Sequence, residues 1–370
     1  MSIIVRYFST SSAGAGDGTS WANRAALFTG GAWSTVITGF AFNGSDSMEA
    51  RVGPGTYSIT VALASGSFAN PPTVTNPLII HGADSSGNLL SPPDPDWTSN
   101  MADWDASSLP VLDTSSNINT LNLAACYPRL LKFTASNSTT NSPLSSTVPM
   151  IDWCQVTNST NSTSATATST VTYIYNSILT CSGTSFSAVT AGVNIFNTKI
   201  VGNSSASSGN RYAYSGVTAT TYFSRSTFLN CPGGGIVTTS SSTAYVATIN
   251  HCTINNIGAA GILMPSTASQ TNVTRIIGCY ISNCGTYGID AGASKVFCYN
   301  NRLRDNSSGN FTNFGNWSTA QNYTTDDSDS EFANSGSGDY RVKNSATIWG
   351  QGYGVADQPL SGESTGIWSY

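Results

Sequence analysis

Three segments decide the fold: Thr227-Phe-Leu-Asn-Cys231, Thr253-Ile-Asn-Asn-Ile257 and Tyr280-Ile-Ser-Asn-Cys284. Eight residues after the central apolar residue of each comes an isoleucine behind a small, glycine-containing turn. These turns read Gly233-Gly-Gly-Ile236, Gly258-Ala-Ala-Gly-Ile262 and Gly285-Thr-Tyr-Gly-Ile289. Extending the pattern in both directions gives the anchors Val156, Ile178, Ile200, Phe228, Ile254, Ile281 and Leu303, spaced by 22, 22, 28, 26, 27 and 22 residues. Two residues before them stand Cys154, Asn176, Thr198, Ser226, Cys252, Cys279 and Asn301. Three residues after them stand Ser159, Cys181, Asn203, Cys231, Ile257, Cys284 and Asn306.

A period of roughly 20–30 residues is the length of one turn of a β-solenoid, in which equivalent residues stack ~4.8 Å apart. Stacked inward positions must be small or aliphatic, and Asn can form side-chain ladders along the axis. The glycine before each isoleucine is expected to supply a positive φ at the corner between two faces. A sandwich would give short strands at 8–12-residue spacing with no reason for in-register Cys and Asn. The expected fold is therefore all-β: a single-stranded right-handed parallel β-helix with at least seven coils in this half. Cys154, Cys252 and Cys279 form one expected core stack and Cys181, Cys231 and Cys284 another, with Asn176 and Asn301 as ladder residues.

Composition agrees. Only 9% of the 370 residues are charged, with a formal net charge of −5, against about 25% charged in an ordinary domain. Ser (57), Thr (46) and Asn (33) supply the polarity instead, and strong helix formers are scarce. A content of 39% hydrophobic residues is enough for a core and argues against disorder. The acidic balance and the lack of a basic stripe argue against a nucleic-acid partner. No apolar run approaches the ~18 residues of a membrane span. The opening Met1-Ser-Ile-Ile-Val-Arg6 lacks the charged and long apolar regions of a signal peptide, so a chain used without export is expected.

The first half carries the pattern more loosely. Val52-Gly-Pro-Gly-Thr-Tyr57 and Pro77-Leu-Ile-Ile-His-Gly82 read as two early rungs. The opening Tyr7-Phe-Ser-Thr-Ser-Ser12, followed by Gly16-Asp-Gly-Thr-Ser-Trp21, resembles the entry of pectate-lyase-like right-handed β-helix proteins, a group that includes bacteriophage virion proteins. Gly53-Pro-Gly-Thr-Tyr57 resembles their first coil, and Gly338-Asp-Tyr-Arg-Val-Lys-Asn-Ser-Ala346 resembles their closing segment. Ala346-Thr-Ile348 stands where that segment usually has Pro-Ala-Ile. The resemblance implies an N-terminal capping helix around Trp21 to Phe28, and it specifies a fold without specifying a function.

The expected organisation is an N-terminal cap and entry over 1–50, a β-helix over 51–305, and an irregular C-terminal cap and contact region over 306–370. A Pro- and Asp-rich excursion near 84–125 stands off the coil. The Ser/Thr/Asn tracts at 136–146 and 157–170 are expected as loops between rungs.

Glycoside hydrolysis needs two carboxylates roughly 5–10 Å apart. From Thr114 to Ile289, Asp152 is the single carboxylate in 176 residues. Arg225 and His251 are expected as outward neighbours on adjacent coils and read as a polar surface pair. Asp290 and Asp305 fall at different coil positions. Asp94, Asp96, Asp103 and Asp105 read as a solvated loop, with a weak cation site as the alternative. Asp326, Asp327, Asp329 and Glu331 lack the sixth-position Gly and twelfth-position acid of a Ca²⁺ loop. The eight Cys show no CxxC spacing, so reduced core residues are expected rather than a metal site. No catalytic residues, metal or cofactor are expected.

Two function classes stay open. The first is a non-enzymatic structural protein of a virus particle, a bacteriophage capsid-surface decoration or a fibre or tail accessory protein. Its expected partners are other virion proteins and further copies of itself, with a trimer as one arrangement, and a host surface polysaccharide. The second is a tailspike-like depolymerase or receptor-binding adhesin in which Trp97, Trp104, Trp317 and Trp368 stack on sugar rings; those tryptophans also read as loop and cap anchors. A secreted bacterial β-helix protein is a further alternative.

Overall fold

The computed structural model describes residues 2–92 (apart from 30, 31, 34 and 43), 106–114, 121–135, 144, 148–159, 172–182, 189–190, 193–203, 212–216, 221–238, 247–264, 273–292, 295–313, 319–320, 332–334 and 339–342. One coil shows the architecture. The chain runs through Ala247–Asn250, Thr253–Ile257 and Ile262–Leu263, then returns at Thr274–Ile277 to lie in register beside Ala247–Asn250. Repetition of this path builds three parallel sheets. A long sheet of 13 strands extends from Ala25–Ala26 and Ser2–Ser9 to Thr319–Ala320. A second sheet has 10 strands, from Thr56–Ser58 to Arg302–Arg304, and a third has 6, from Val189–Thr190 to Gly309–Thr312. This is a parallel β-helix.

Alternation along each short strand sorts side chains into core and surface. In the second sheet Tyr57, Leu112, Phe133, Val156, Leu179, Ile200, Phe228, Ile254, Ile281 and Leu303 stack in register. All ten are buried. Facing them from the long sheet are Ile80, Ile151, Ile174, Ile195, Phe223, Ile249, Ile276 and Cys298. Each fully buried aliphatic side chain contributes roughly 1.5–3 kcal/mol. The register corrects one anchor: Leu179, not Ile178, follows Val156. Ile178 instead packs outside the core with Leu109, Leu130 and Trp153.

The corner between the long and second sheets is built the same way on eight coils. Leu130, Trp153, Asn176, Asn197, Arg225, His251, Gly278 and Asn300 all adopt a left-handed conformation, with φ between 48° and 63°. For a side-chain-bearing residue this costs roughly 1–2 kcal/mol. Seven of their N–H groups offset that cost by donating to a long-sheet carbonyl of the next coil, from Leu130 to Asp152 through Gly278 to Tyr299, at 2.9–3.3 Å.

The residue after each corner points inward, and where it is polar it joins a ladder. The backbone N–H of Cys154 donates to Ser177 Oγ (3.1 Å), that of Ser177 to Thr198 Oγ1 (3.4 Å) and that of Thr198 to Ser226 Oγ (3.2 Å). Asn176 therefore occupies the corner, and Ser177 takes the inward position.

At the second-to-third corner the glycines act by close approach rather than by positive φ. Gly235, Gly261 and Gly288 all lack a positive φ. A Cβ on Gly235 would lie 2.2 Å from the Gly261 carbonyl oxygen, and one on Gly261 would lie 2.8 Å from that of Gly288.

The N-terminal end also departs from expectation. Trp21 to Phe28 forms no helix; Ala25–Ala26 pairs as a strand with Phe8 and Ser9. Extended pairing satisfies these backbone groups directly on the sheet edge, as Leu27 does in donating its N–H to the Ser9 carbonyl. The one α-helix among the described residues is the four-residue Thr35–Thr38, and its Ile37 covers the core end with Leu27 and Phe42. Trp21 lies against the outside, edge-on to Tyr7, where Cβ atoms on Gly53 or Gly87 would meet its ring at 2.4 and 2.8 Å.

At the other end, Gly309–Thr312 and Thr319–Ala320 continue the third and long sheets past residue 306. Phe332–Asn334 and Asp339–Val342 pair as an antiparallel hairpin. Among the described residues no helix is long and apolar enough to cross a membrane.

Candidate functional site

The long sheet has two outward rows of side chains, and one of them carries Arg51, His81, Arg129 and Asp152 on successive strands. Its register runs Tyr7, Arg51, His81, Arg129, Asp152, Tyr175, Phe196, Ser224, Asn250, Ile277, Tyr299. Each step is one strand spacing, ~4.8 Å. The row therefore has a charged head on four consecutive strands, followed directly by an aromatic stretch.

In the head, Arg51 Nε binds Glu49 Oε1 at 2.6 Å, and its guanidinium lies 5.6 Å from the centroid of the Tyr7 ring. Arg129 Nε lies 3.2 Å from Asp152 Oδ2. Asn176 Nδ2 donates to Asp152 Oδ1 at 2.8 Å, and Asn197 Nδ2 donates to Asn176 Oδ1 at 3.2 Å. Burial pushes the Asp152 carboxyl up, against the pull of Asn176 and Arg129. His81 sits between the two arginines. Its burial, and then the charges of Arg129 and Arg51, hold the imidazole down at about 4 against a hydrogen bond to the Leu90 backbone.

The aromatic stretch is stacked. Tyr173 and Tyr175 lie 5.9 Å apart at 14°, and Tyr175 and Phe196 lie 5.1 Å apart at 15°. Further along, Phe297 and Tyr299 lie 6.2 Å apart at 7°. Tyr173, Tyr222 and Tyr299 are 40%, 47% and 37% exposed. This is a flat aromatic face fixed on rigid rungs.

The residues singled out from the sequence fall as follows. Trp97, Trp104, Trp317 and Trp368, with Asp94, Asp96, Asp103, Asp105, Asp326, Asp327, Asp329 and Glu331, lie outside the described residues. Arg225 and His251 are corner residues on successive coils. Asp290 Oδ1 accepts from Asn313 Nδ2 and from the Gly292 N–H, each at 2.9 Å, whereas Asp305 binds Arg304 Nε at 2.6 Å. The two acids are not brought together.

All eight cysteines are buried and reduced. Cys252 and Cys279 are neighbours on adjacent coils, each preceding a register partner. Burial pushes the Cys154, Cys231 and Cys284 thiols up to about 12. Asn301 is fully buried.

Sequence reasoning missed the charged head. The successive spacings Arg51 to His81, His81 to Arg129 and Arg129 to Asp152 are 30, 48 and 23 residues, which is no constant period. Within the stretch expected as an excursion, Val111–Thr114 and Leu121–Asn122 pair in the rungs instead. The aromatic face had a readable signal in the alternation Tyr173-Ile-Tyr175.

No family model matches this chain, and no curated protein matches it in sequence.

Proposed function

We propose that this chain is a non-enzymatic structural and adhesive protein of a virus particle. It would serve as a surface decoration or fibre-type component that presents the outer face of its long sheet to a host glycan. The observation that carries this reading is the stacked aromatic face of Tyr173, Tyr175 and Phe196, in which Tyr173 is exposed and the other two rings are half-buried, held by parallel rungs. Rigid aromatic faces bind sugar rings with little ordering cost. The carboxylates of the coil body support the same reading. Glu49, Asp113, Asp152, Asp290 and Asp305 each accept from a donor on their own or a neighbouring coil, which suits a scaffold. The particle assignment rests on the motifs resembling pectate-lyase-like virion proteins and on the uncharged, Ser/Thr/Asn-rich surface.

Quantitative mass spectrometry of purified virions tests the assignment, and stoichiometric recovery of the chain is expected. Its absence from the particle would overturn the reading. The competing reading, a depolymerase, predicts turnover of an acidic polysaccharide that is lost in Asp152→Ala or Asp290→Asn. On a glycan array, Tyr173→Ala and Tyr222→Ala are expected to weaken binding without unfolding the chain.

A further inference from the structure

His81 is 6% exposed, and its Nε2 has no hydrogen-bond partner among the described residues. A buried polar atom without a partner is uncommon and calls for an unseen occupant or a functional role. Its surroundings indicate the sign of the occupant's charge. Arg51 and Arg129 flank it on the two adjacent strands, each about 4.8 Å away along the sheet. Each arginine engages a carboxylate through Nε, and no described residue accepts from the terminal nitrogens of either. The Arg129–Asp152 contact is not a directed hydrogen bond, since Arg129 Nε remains unsatisfied at 3.2 Å. The Arg129 side chain is 41% exposed, so the row is reached from solvent on that side.

We propose that Arg51, His81 and Arg129 form a binding site for an oxyanion, a carboxylate or phosphate group, held by the two guanidiniums and by His81 Nε2. It goes beyond the adhesive role above and stands independently of it. Guanidinium forks match both anions with charge-assisted hydrogen bonds. Binding takes up a proton. With one imidazole nitrogen engaged by the Leu90 backbone, a neutral ring offers Nε2 only as an acceptor, and an oxyanion needs a donor there. The bound anion offsets the two arginine charges and so favours the imidazolium. The charged or titratable groups around His81 among the described residues are Arg51 and Glu49 on one side, Arg129 and Asp152 on the other, and Asp84 on the following loop. Asp84 is engaged by the Ser86 and Asn88 N–H groups.

Isothermal titration of the full chain with inorganic phosphate and, separately, with acetate tests this in a buffer free of other oxyanions. One saturable site is expected, with affinity rising as pH falls from 8 to 6. The two titrants distinguish a tetrahedral from a planar group. Arg129→Gln is expected to weaken binding about tenfold, the loss of one charge-assisted bond. Asp152→Asn is expected to tighten binding, because it removes the carboxylate that competes for Arg129. A misfolded variant would not bind more tightly, so this second variant separates loss of the site from loss of the fold. No saturable heat with either anion, or unchanged affinity in both variants, would overturn the proposal.

Discussion

Asn301 stands one coil beyond Cys279 in the same inward position, and its Oδ1 accepts the Cys279 N–H at 2.9 Å. Its Nδ2 donates to the Ile276 carbonyl at 2.8 Å. One buried amide thus ties two backbone groups of the preceding coil. Asn301→Ala orphans both and is expected to cost about 1–3 kcal/mol. A urea midpoint unchanged from wild type would show that the ladder contributes nothing.

The register places Leu179 in the core and Ile178 outside it. Leu179→Ala is expected to cost about 2–5 kcal/mol, the range for an aliphatic truncation in a tight core. Ile178→Ala, at a rim cluster, is expected to cost less. Thermal melts of the pair decide it, and the reverse order would contradict the register.

Gly235→Ala pushes a methyl to 2.2 Å from a carbonyl oxygen of the next coil. Such overpacking is expected to destabilise by about 1–3 kcal/mol. A Cβ on Gly66 would meet nothing within 4 Å, so Gly66→Ala is expected to fall within about 0.5 kcal/mol of wild type. Equal melting temperatures for the two variants would reject the close-approach account.

With every thiol buried and the Cys154, Cys231 and Cys284 thiols pushed up to about 12, thiolate is negligible at pH 8. A chromogenic disulfide reagent is expected to leave the folded chain unlabelled and to titrate eight thiols in denaturant. Rapid labelling of the native protein would show that the stacks open.

His81 titrates at about 4 when folded and near its ordinary 6.5 when unfolded. Between those values the unfolded chain binds more protons, so stability is full above pH 6.5 and falls as pH drops toward 4. Asp152, with its carboxyl pushed up, acts in the opposite direction. The comparison is therefore with His81→Gln: in an oxyanion-free buffer its melting temperature is expected to fall less than wild type from pH 7 to pH 4.5. Parallel losses would rule out His81 as the source.

The β-helix was legible because stacking repeats a chemical requirement at each turn, and residues such as Phe228, Ile254 and Ile281 meet it in step. The Ile178–Leu179 pair was not, since two adjacent apolar residues carry no parity and only the pairing of strands chooses between them. The expected capping helix failed for a related reason. Propensity over a few residues is weak, and an open sheet edge beside Phe8 and Ser9 offers Ala25 and Ala26 better hydrogen bonds.

By itself the sequence determined that the chain coils, how long each turn is, and that small, aliphatic and thiol side chains fill its interior. Those are local and periodic requirements, written into the order of residues. Only the tertiary structure decided that Arg51, His81, Arg129 and Asp152 share one outward row, and that Tyr175 and Phe196 extend it as a stack. Loops of unequal length separate these residues along the chain, and hydrogen bonding between strands, not spacing in sequence, brings them side by side.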